Sequence, residues 1–260
     1  MNKIFFASHT LIKREPSEVV EELYEKGFDG LEILSQSKHA LDNETIKKFK
    51  TAIKDISFDL TVHAPFKGIN LSSFNDKIWN RSIKKLEKNI EKAASLKAEH
   101  VTIHPGYTEE MSNYLPNEEW NRNFEAFKRL AKVAEENEIM IGVENMPNMS
   151  HLRYKTPEEI IGLINSIESE NLSLSFDVGH AHTNGVVQEF LEHLDKVSHV
   201  HLHDNFGKKD QHLQIGRGDI NFETVFSKLE NYDGIFVIEG RNIKEGKRSM
   251  KNIKKFNLRA

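Results

Sequence analysis

There is no cysteine among the 260 residues, which excludes thiolate catalysis, disulfides and every Cys-type zinc site. Any metal must therefore be held by nitrogen and oxygen. No apolar run approaches the ~18 residues that a membrane span needs, and the N-terminus lacks the apolar stretch of a signal peptide. A cytoplasmic protein with no membrane partner is expected by default. Low-complexity linkers are missing too. No Gly-x-Gly-x-x-Gly turn follows the first strand-like run, which weakens a doubly wound dinucleotide-binding sheet.

What is present is a globular composition, 38% hydrophobic and 29% charged, which excludes a disordered chain. The net charge is −4 but unevenly spread: Arg241 to Ala260 carries eight Lys/Arg against one acid, Glu245, leaving −11 on the other 240 residues. The tail reads as a solvated last helix packed on the body of the protein, or as a patch that attracts phosphate or nucleic acid.

Strand-like and helix-like patterns alternate along the whole chain. Runs rich in Ile, Val, Leu and Phe fall at Ile4–Ala7, Gly30–Leu34, Phe58–Ala64, Val101–Pro105, Ile139–Met146, Leu172–Val178, Val197–Asp204 and Gly234–Gly240. Between them lie charge-rich segments with helical spacing, among them Asp76–Leu96, Glu118–Glu136, Pro157–Ile167 and Glu223–Leu229. Ser17 and Thr156-Pro157 look like helix starts. Eight strand–helix repeats imply parallel pairing and right-handed crossovers that close a (β/α)8 TIM barrel. The length agrees with one such domain over residues 1–260, close to the ~250 typical of the fold.

The informative feature is where the polar residues fall. Strand three ends in Thr-Val-His63, strand four in Thr-Ile-His104 and strand five in Gly-Val-Glu144. Strand six ends in Ser-Phe-Asp177 with His180 just beyond, and strand eight in Val-Ile-Glu239. Strand seven reads His199-Val-His201-Leu-His203-Asp204, so its three histidines share one face. Each of these residues alone reads as an ordinary core or loop side chain. As a set they bring His, Asp or Glu from six successive strands to the mouth where barrel enzymes keep their active sites, and so much unpaired charge there would cost several kcal/mol. A bound cation is the simplest compensation, and imidazole with carboxylate suits Zn2+, Mn2+, Fe2+ or Co2+ better than Ca2+.

The strings VHAPFKGINLSS, VTIHPGY, GVENMP, SFDVGHAH, HVHLHDN, KDQHLQIGRGDINF and FVIEG together resemble the xylose isomerase-like barrel superfamily. That group includes sugar and sugar-phosphate isomerases and epimerases, inosose dehydratase and endonuclease IV, and the resemblance runs from about Phe58 to Glu239. It implies a divalent metal, Zn2+ or Mn2+, in one to three ions. By resemblance to endonuclease IV, the ligands of three zinc ions are His63, His104, Glu144, Asp177, His180, His201, Asp210, His212 and Glu239. By resemblance to the isomerases, one metal is held by Glu144, Asp177, His201 and Glu239, and the two glutamates also exchange protons with substrate.

Three further residues are substrate-binding candidates. Glu32, ending strand two, hydrogen-bonds a sugar hydroxyl or pairs with a neighbour. Lys67 faces solvent or an anionic substrate. Arg217, in the Gly216-Arg-Gly218 turn, grips a phosphate or sugar oxygen, or the turn is a plain tight loop. Trp79 and Trp120, in helical segments, read as packing residues.

Two activities follow. In the first, metal polarises an open-chain sugar, a glutamate takes a proton from carbon, and an enediolate forms on the way to isomer or epimer. In the second, clustered metals activate water against a phosphodiester at an abasic site in DNA. The complete set of nine counterparts favours the second. Against it stands the second-strand loop, Ser35-Gln-Ser-Lys-His39, which carries no arginine, and a body of −11 where DNA binding asks for a basic face. Phe66 is the one candidate wedge for a base stack. A barrel that keeps its metal only to bind a ligand is a third reading, with no missing donor to support it. The sequence leans to sugar or sugar-phosphate isomerisation.

Overall fold

A computed structural model of the protein describes residues 2–256. Eight strands form a closed, all-parallel barrel: β1 (Ile4–Ala7), β2 (Gly30–Leu34), β3 (Asp59–His63), β4 (His100–Ile103), β5 (Met140–Glu144), β6 (Leu172–Asp177), β7 (Val197–Leu202) and β8 (Ile235–Ile238), with β8 pairing back to β1. Around it run α1 (Pro16–Glu25), α2 (Asn43–Ile53), α3 (Asp76–Leu96), α4 (Pro116–Glu136), α5 (Pro157–Ile167), α6 (Val178–Asn184), α7 (Val187–Leu191), α8 (Phe222–Lys228) and α9 (Ile243–Ile253). The fold is a (β/α)8 TIM barrel, as the strand–helix alternation predicts. Several strands end one or two residues before the apolar runs do, so His104, His203 and Glu239 stand just past a strand end.

Local signals set the helix starts. Thr156 caps α5 with a capping box closed by Glu159, and Pro157 occupies the first helical position. Ser17 is not a cap: α1 begins at Pro16 after Glu15, and proline's fixed φ sets the start. The basic last helix, α9, buries Ile243, Met250 and Ile253 against the barrel and turns its lysines outward, as a solvated face does. The tail's last four residues, Arg259 among them, lie outside the described residues.

Strand alternation divides the molecule into an apolar outside and a polar inside. Phe6, Leu31, Ile33, Val62, Val101, Ile141, Val143, Leu174, Val200 and Phe236 face the helices and join one large core cluster. The alternate positions face inward. Phe5, Ala7, Ile235 and Val237 form a separate small apolar cluster there. The rest of that face carries Glu32, Thr61, His63, His100, Thr102, Glu144, Ser175, Asp177, His199 and His201, all buried. Ordinary barrels of this class fill the interior with branched apolar side chains. This one is polar from mid-barrel to mouth, and some of those groups are paired across it: Thr102 Oγ1 lies 3.2 Å from Ser175 Oγ and 3.4 Å from Glu32 Oε1.

Candidate metal centre

The mouth of the barrel encloses a cavity of about 240 Å3 whose lining includes His9, Glu32, His63, Phe66, His104, Glu144, His180, Asp210, His212 and Glu239. Glu144, from the end of β5, is its hub. Its Oε2 lies 3.2 Å from His63 Nε2 and 2.8 Å from His104 Nε2, while Oε1 lies 2.9 Å from His201 Nδ1. The same His201 Nδ1 stands 3.4 Å from Glu239 Oε1 and 3.8 Å from Asp177 Oδ2. Beyond them, His180 Nε2 and His212 Nε2 approach Asp210 Oδ2 at 3.3 and 2.9 Å, and His212 Nδ1 faces Glu239 Oε2 at 3.3 Å. All nine residues expected to hold metal are thus joined in one network.

The donor set fits a divalent cation. Four carboxylates, Glu144, Asp177, Asp210 and Glu239, crowd one small space, three of them buried. Burial would push the Glu144 carboxyl up, but the His104 and His201 imidazoles hold it well below the usual carboxylate range. Burial likewise opposes charge on the histidines and wins at His104, whose pKa it lowers, but at three others the carboxylates prevail: Glu144 brings His63 up to about 9, Asp177 and Asp210 bring His180 up to about 10, and Asp210 with Glu239 brings His212 up to about 9. Such a site draws positive charge strongly. The outward nitrogens are also tied down. His63 Nδ1 donates to the Ala64 carbonyl at 2.9 Å and His180 Nδ1 to the Asn145 carbonyl at 2.8 Å, leaving each Nε2 turned to the carboxylates. Metal-binding histidines are typically held in this way. Buried Asp177 Oδ2, Asp210 Oδ1 and His212 Nδ1 have no hydrogen-bond partner, as donors arranged around an ion would.

Two residues of the site carry more than the sequence suggests. His203 is fully buried, with Nε2 at 3.2 Å from Asp177 Oδ1 and 3.3 Å from Asp210 Oδ1, so it joins His180, Asp210 and His212 in a second donor group. A Cβ at position 179 would fall 2.0 Å from the His203 ring, so Gly179 makes room for it. The alternation of His199, His201 and His203 already puts His203 on the site's face. His9, after β1, lines the cavity with its ring 5.2 Å from that of His212, and burial lowers its pKa. Only its place past a strand end marks it in the sequence.

The three substrate-binding candidates fare differently. Glu32 reaches the cavity floor but is 1% exposed, and its Oε1 already accepts from His199 and His201 at 3.0 and 3.1 Å. It pairs with neighbours. Lys67 is exposed on the loop beyond Phe66 and is not part of the cavity lining. Arg217 is exposed as well, and the amides of its turn are already taken: Gly216, Arg217 and Gly218 N–H all donate to Asp204 Oδ2 at 2.9, 3.0 and 2.8 Å. The anion in this nest is the chain's own carboxylate, so these amides are not free to hold a phosphate. Trp79 packs as expected, its Nε1 donating to the Leu71 and Arg122 carbonyls, while Trp120 stacks on Phe124 at the surface.

A family model described as a xylose isomerase-like TIM barrel matches residues 20–256, and the chain belongs to that family. An uncharacterised protein of Methanocaldococcus jannaschii is 37% identical over 244 residues, covering 91% of this chain and 83% of that protein. The solved structure of a D-tagatose 3-epimerase-like protein superposes with a TM-score of 0.92 at 35% identity, over 98% of this chain and 96% of that one. The apo structure of 3-keto-D-glucoside 4-epimerase from E. coli shares the fold at a TM-score of 0.83 and 19% identity, over 98% of this chain and all of the other. A probable endonuclease 4 of Staphylococcus epidermidis is more distant, 24% identical over 210 residues, or 71% of this chain and 67% of that protein. Among the described residues, no helix is long and apolar enough to cross a membrane.

Proposed function

We propose that the protein is a divalent-metal-dependent sugar or sugar-phosphate isomerase or epimerase in which Glu144 and Glu239 exchange protons with substrate carbon. The observation that carries this reading is the convergence of three carboxylates on one atom: Glu144, Glu239 and Asp177 oxygens lie 2.9, 3.4 and 3.8 Å from His201 Nδ1. Three carboxylates and an imidazole make a compact nitrogen–oxygen set that suits Zn2+ or Mn2+. When bound, the cation supplies Lewis acidity to a carbonyl oxygen and the neighbouring hydroxyl. Glu144 is the carboxylate that accepts a proton from the carbon beside the carbonyl. The electron pair of that C–H bond passes to the carbonyl oxygen, giving an enediolate. Glu239 stands just past the end of β8, three strands away around the ring from β5, and in this reading meets the carbon from another side. A proton returned from Glu239 to the other face of the same carbon gives an epimer, and one returned to the former carbonyl carbon, with the hydroxyl proton passing from one oxygen to the other, gives an isomer.

The cavity suits a small substrate. At about 240 Å3 it lies just below the usual range of ligand sites, which starts at roughly 300 Å3. Phe66 lies flat on His104 (centroids 4.9 Å apart, 13° between planes) and offers an apolar surface at the entrance for the C–H face of a sugar. The likeness to a D-tagatose 3-epimerase-like protein over nearly the whole chain supports the same reading.

A second reading, an endonuclease IV-like zinc-dependent phosphodiesterase acting at abasic DNA sites, is favoured by one observation. His180, His203, Asp210 and His212 form a donor group beyond the one that proton transfer requires, their ligand atoms all within 4.8 Å of one another. One experiment separates the two. Protein loaded with Zn2+ or Mn2+ is incubated with free and phosphorylated ketoses, and in parallel with an abasic DNA duplex at low salt. Conversion of a ketose with an intact duplex is expected. A nicked duplex with no sugar converted would replace the first reading by the second.

A further inference from the structure

Below the metal centre the barrel interior holds a buried carboxylate that none of the steps above uses. Glu32 projects inward from β2 and is 1% exposed. Its Oε1 is shared by two imidazoles, accepting from His199 Nε2 at 3.0 Å and His201 Nε2 at 3.1 Å, with Thr102 Oγ1 at 3.4 Å. His199 is itself fixed from below, its ring stacked on that of His100 at 4.4 Å and 7°. The layer is built for these rings: a Cβ at position 142 would fall 2.7 Å from His100 Cε1, so Gly142 opens the space. A buried ion pair is a weak way to gain stability, because desolvation offsets the attraction. Its use here calls for another reason.

That reason lies in the two nitrogens of His201. A nitrogen that donates to Glu32 carries hydrogen and is no ligand. The other nitrogen, Nδ1, is the one turned to Glu144, Asp177 and Glu239. We propose that Glu32 is a positioning residue that fixes the tautomer and ring orientation of His201, so that Nδ1 is its metal-binding atom, and that the His100–His199 stack holds Glu32 in place for this. The proposal rests on the metal-centre reading above. Carboxylates behind a ligating histidine orient it and raise its basicity, and losing one typically weakens metal binding by about 10- to 100-fold.

The test is the affinity of the full-length protein for Zn2+, measured by competition with a chromophoric chelator. Glu32→Gln keeps the volume but removes the charge, and should weaken Zn2+ binding by about 10- to 100-fold. Nitrogen-15 spectra of the Zn2+-loaded wild type should show His201 protonated at Nε2, and the variant should lose that single state. Ser175→Ala is the control, since Ser175 bonds Thr102 in the same layer and is not among the partners of His201; its Zn2+ affinity should match the wild type. If Glu32→Gln does not fold, Glu32→Asp takes its place: it keeps the charge but withdraws the oxygen by one methylene, and should also weaken binding. A folded Glu32 variant that binds Zn2+ within twofold of wild type overturns the proposal and leaves the metal centre standing. A wild type that binds no Zn2+ overturns the metal centre itself.

Discussion

Glu144 and Glu239 meet at one atom: the Nδ1 of His201 lies 2.9 Å from Glu144 Oε1 and 3.4 Å from Glu239 Oε1. The two carboxylates come from β5 and β8, so the closure of the barrel, not any local motif, brings them together. Closure also gives each a second set of partners. Glu144 turns its other oxygen to His63 and His104, and Glu239 turns its other oxygen to His212.

The crowding of Glu144, Asp177, Asp210 and Glu239 predicts that metal stabilises the fold. Protein purified without added metal should carry one to three equivalents of divalent ion by elemental analysis, and a strong chelator should lower its unfolding temperature. Restoring Zn2+ or Mn2+ at about 100 times the dissociation constant should return about 2.7 kcal/mol. Equal unfolding temperatures with and without metal would contradict the account of the site.

The amide nest at Gly216–Gly218 makes a separate prediction. Asp204 is fully buried and accepts from five backbone N–H groups, those of Asn205, Gly216, Arg217, Gly218 and Ile220. Asp204→Ala leaves them without their acceptor and should cost about 3–5 kcal/mol in denaturant unfolding. Arg217→Ala should leave the ratio of KM for phosphorylated and free ketose within about twofold of wild type. A selective rise in KM for the phosphorylated sugar would restore Arg217 as a phosphate ligand.

Much of this was legible in the sequence, for physical reasons. A parallel barrel buries both faces of each strand, so a charged residue at a strand end is conspicuous against Ile and Val, and His63, Glu144, Asp177 and His201 stand out for that reason. Pairing partners inside the barrel are less legible. Whether Glu32 meets a sugar or His199 depends on how eight strands are staggered across the lumen, which no local pattern encodes. The Gly216-Arg217-Gly218 turn is equally illegible, because amides shaped to hold an anion look alike whether the anion is a ligand or Asp204, twelve residues upstream of Gly216.

His39 gives the protein a pH-dependent stability that does not involve the metal centre. It is buried edge-on to Phe49, with centroids 5.6 Å apart, and burial pushes its imidazole down to about 4. The unfolded chain, with histidine near 6.5, takes up this proton first. Stability present above pH ~6.5 is therefore lost as pH falls toward 4, by on the order of 3 kcal/mol. In His39→Leu, the fall in denaturant midpoint between pH 6.5 and 4 should be smaller by that contribution. The same slope in both proteins would show that His39 is not the group responsible.

The most direct test of proton transfer by Glu144 and Glu239 is the wash-in of solvent deuterium. The metal-loaded protein is incubated in deuterated water with a ketose that it converts, and deuterium at the carbon beside the carbonyl is followed by NMR. Glu144→Gln and Glu239→Gln are compared after metal content is restored and measured, since either change also weakens a ligand. The wild type should incorporate deuterium at that carbon, and both variants should lose incorporation by at least about 100-fold at equal metal occupancy. Incorporation that persists in both metal-loaded variants would contradict the account and leave the two glutamates as ligands alone.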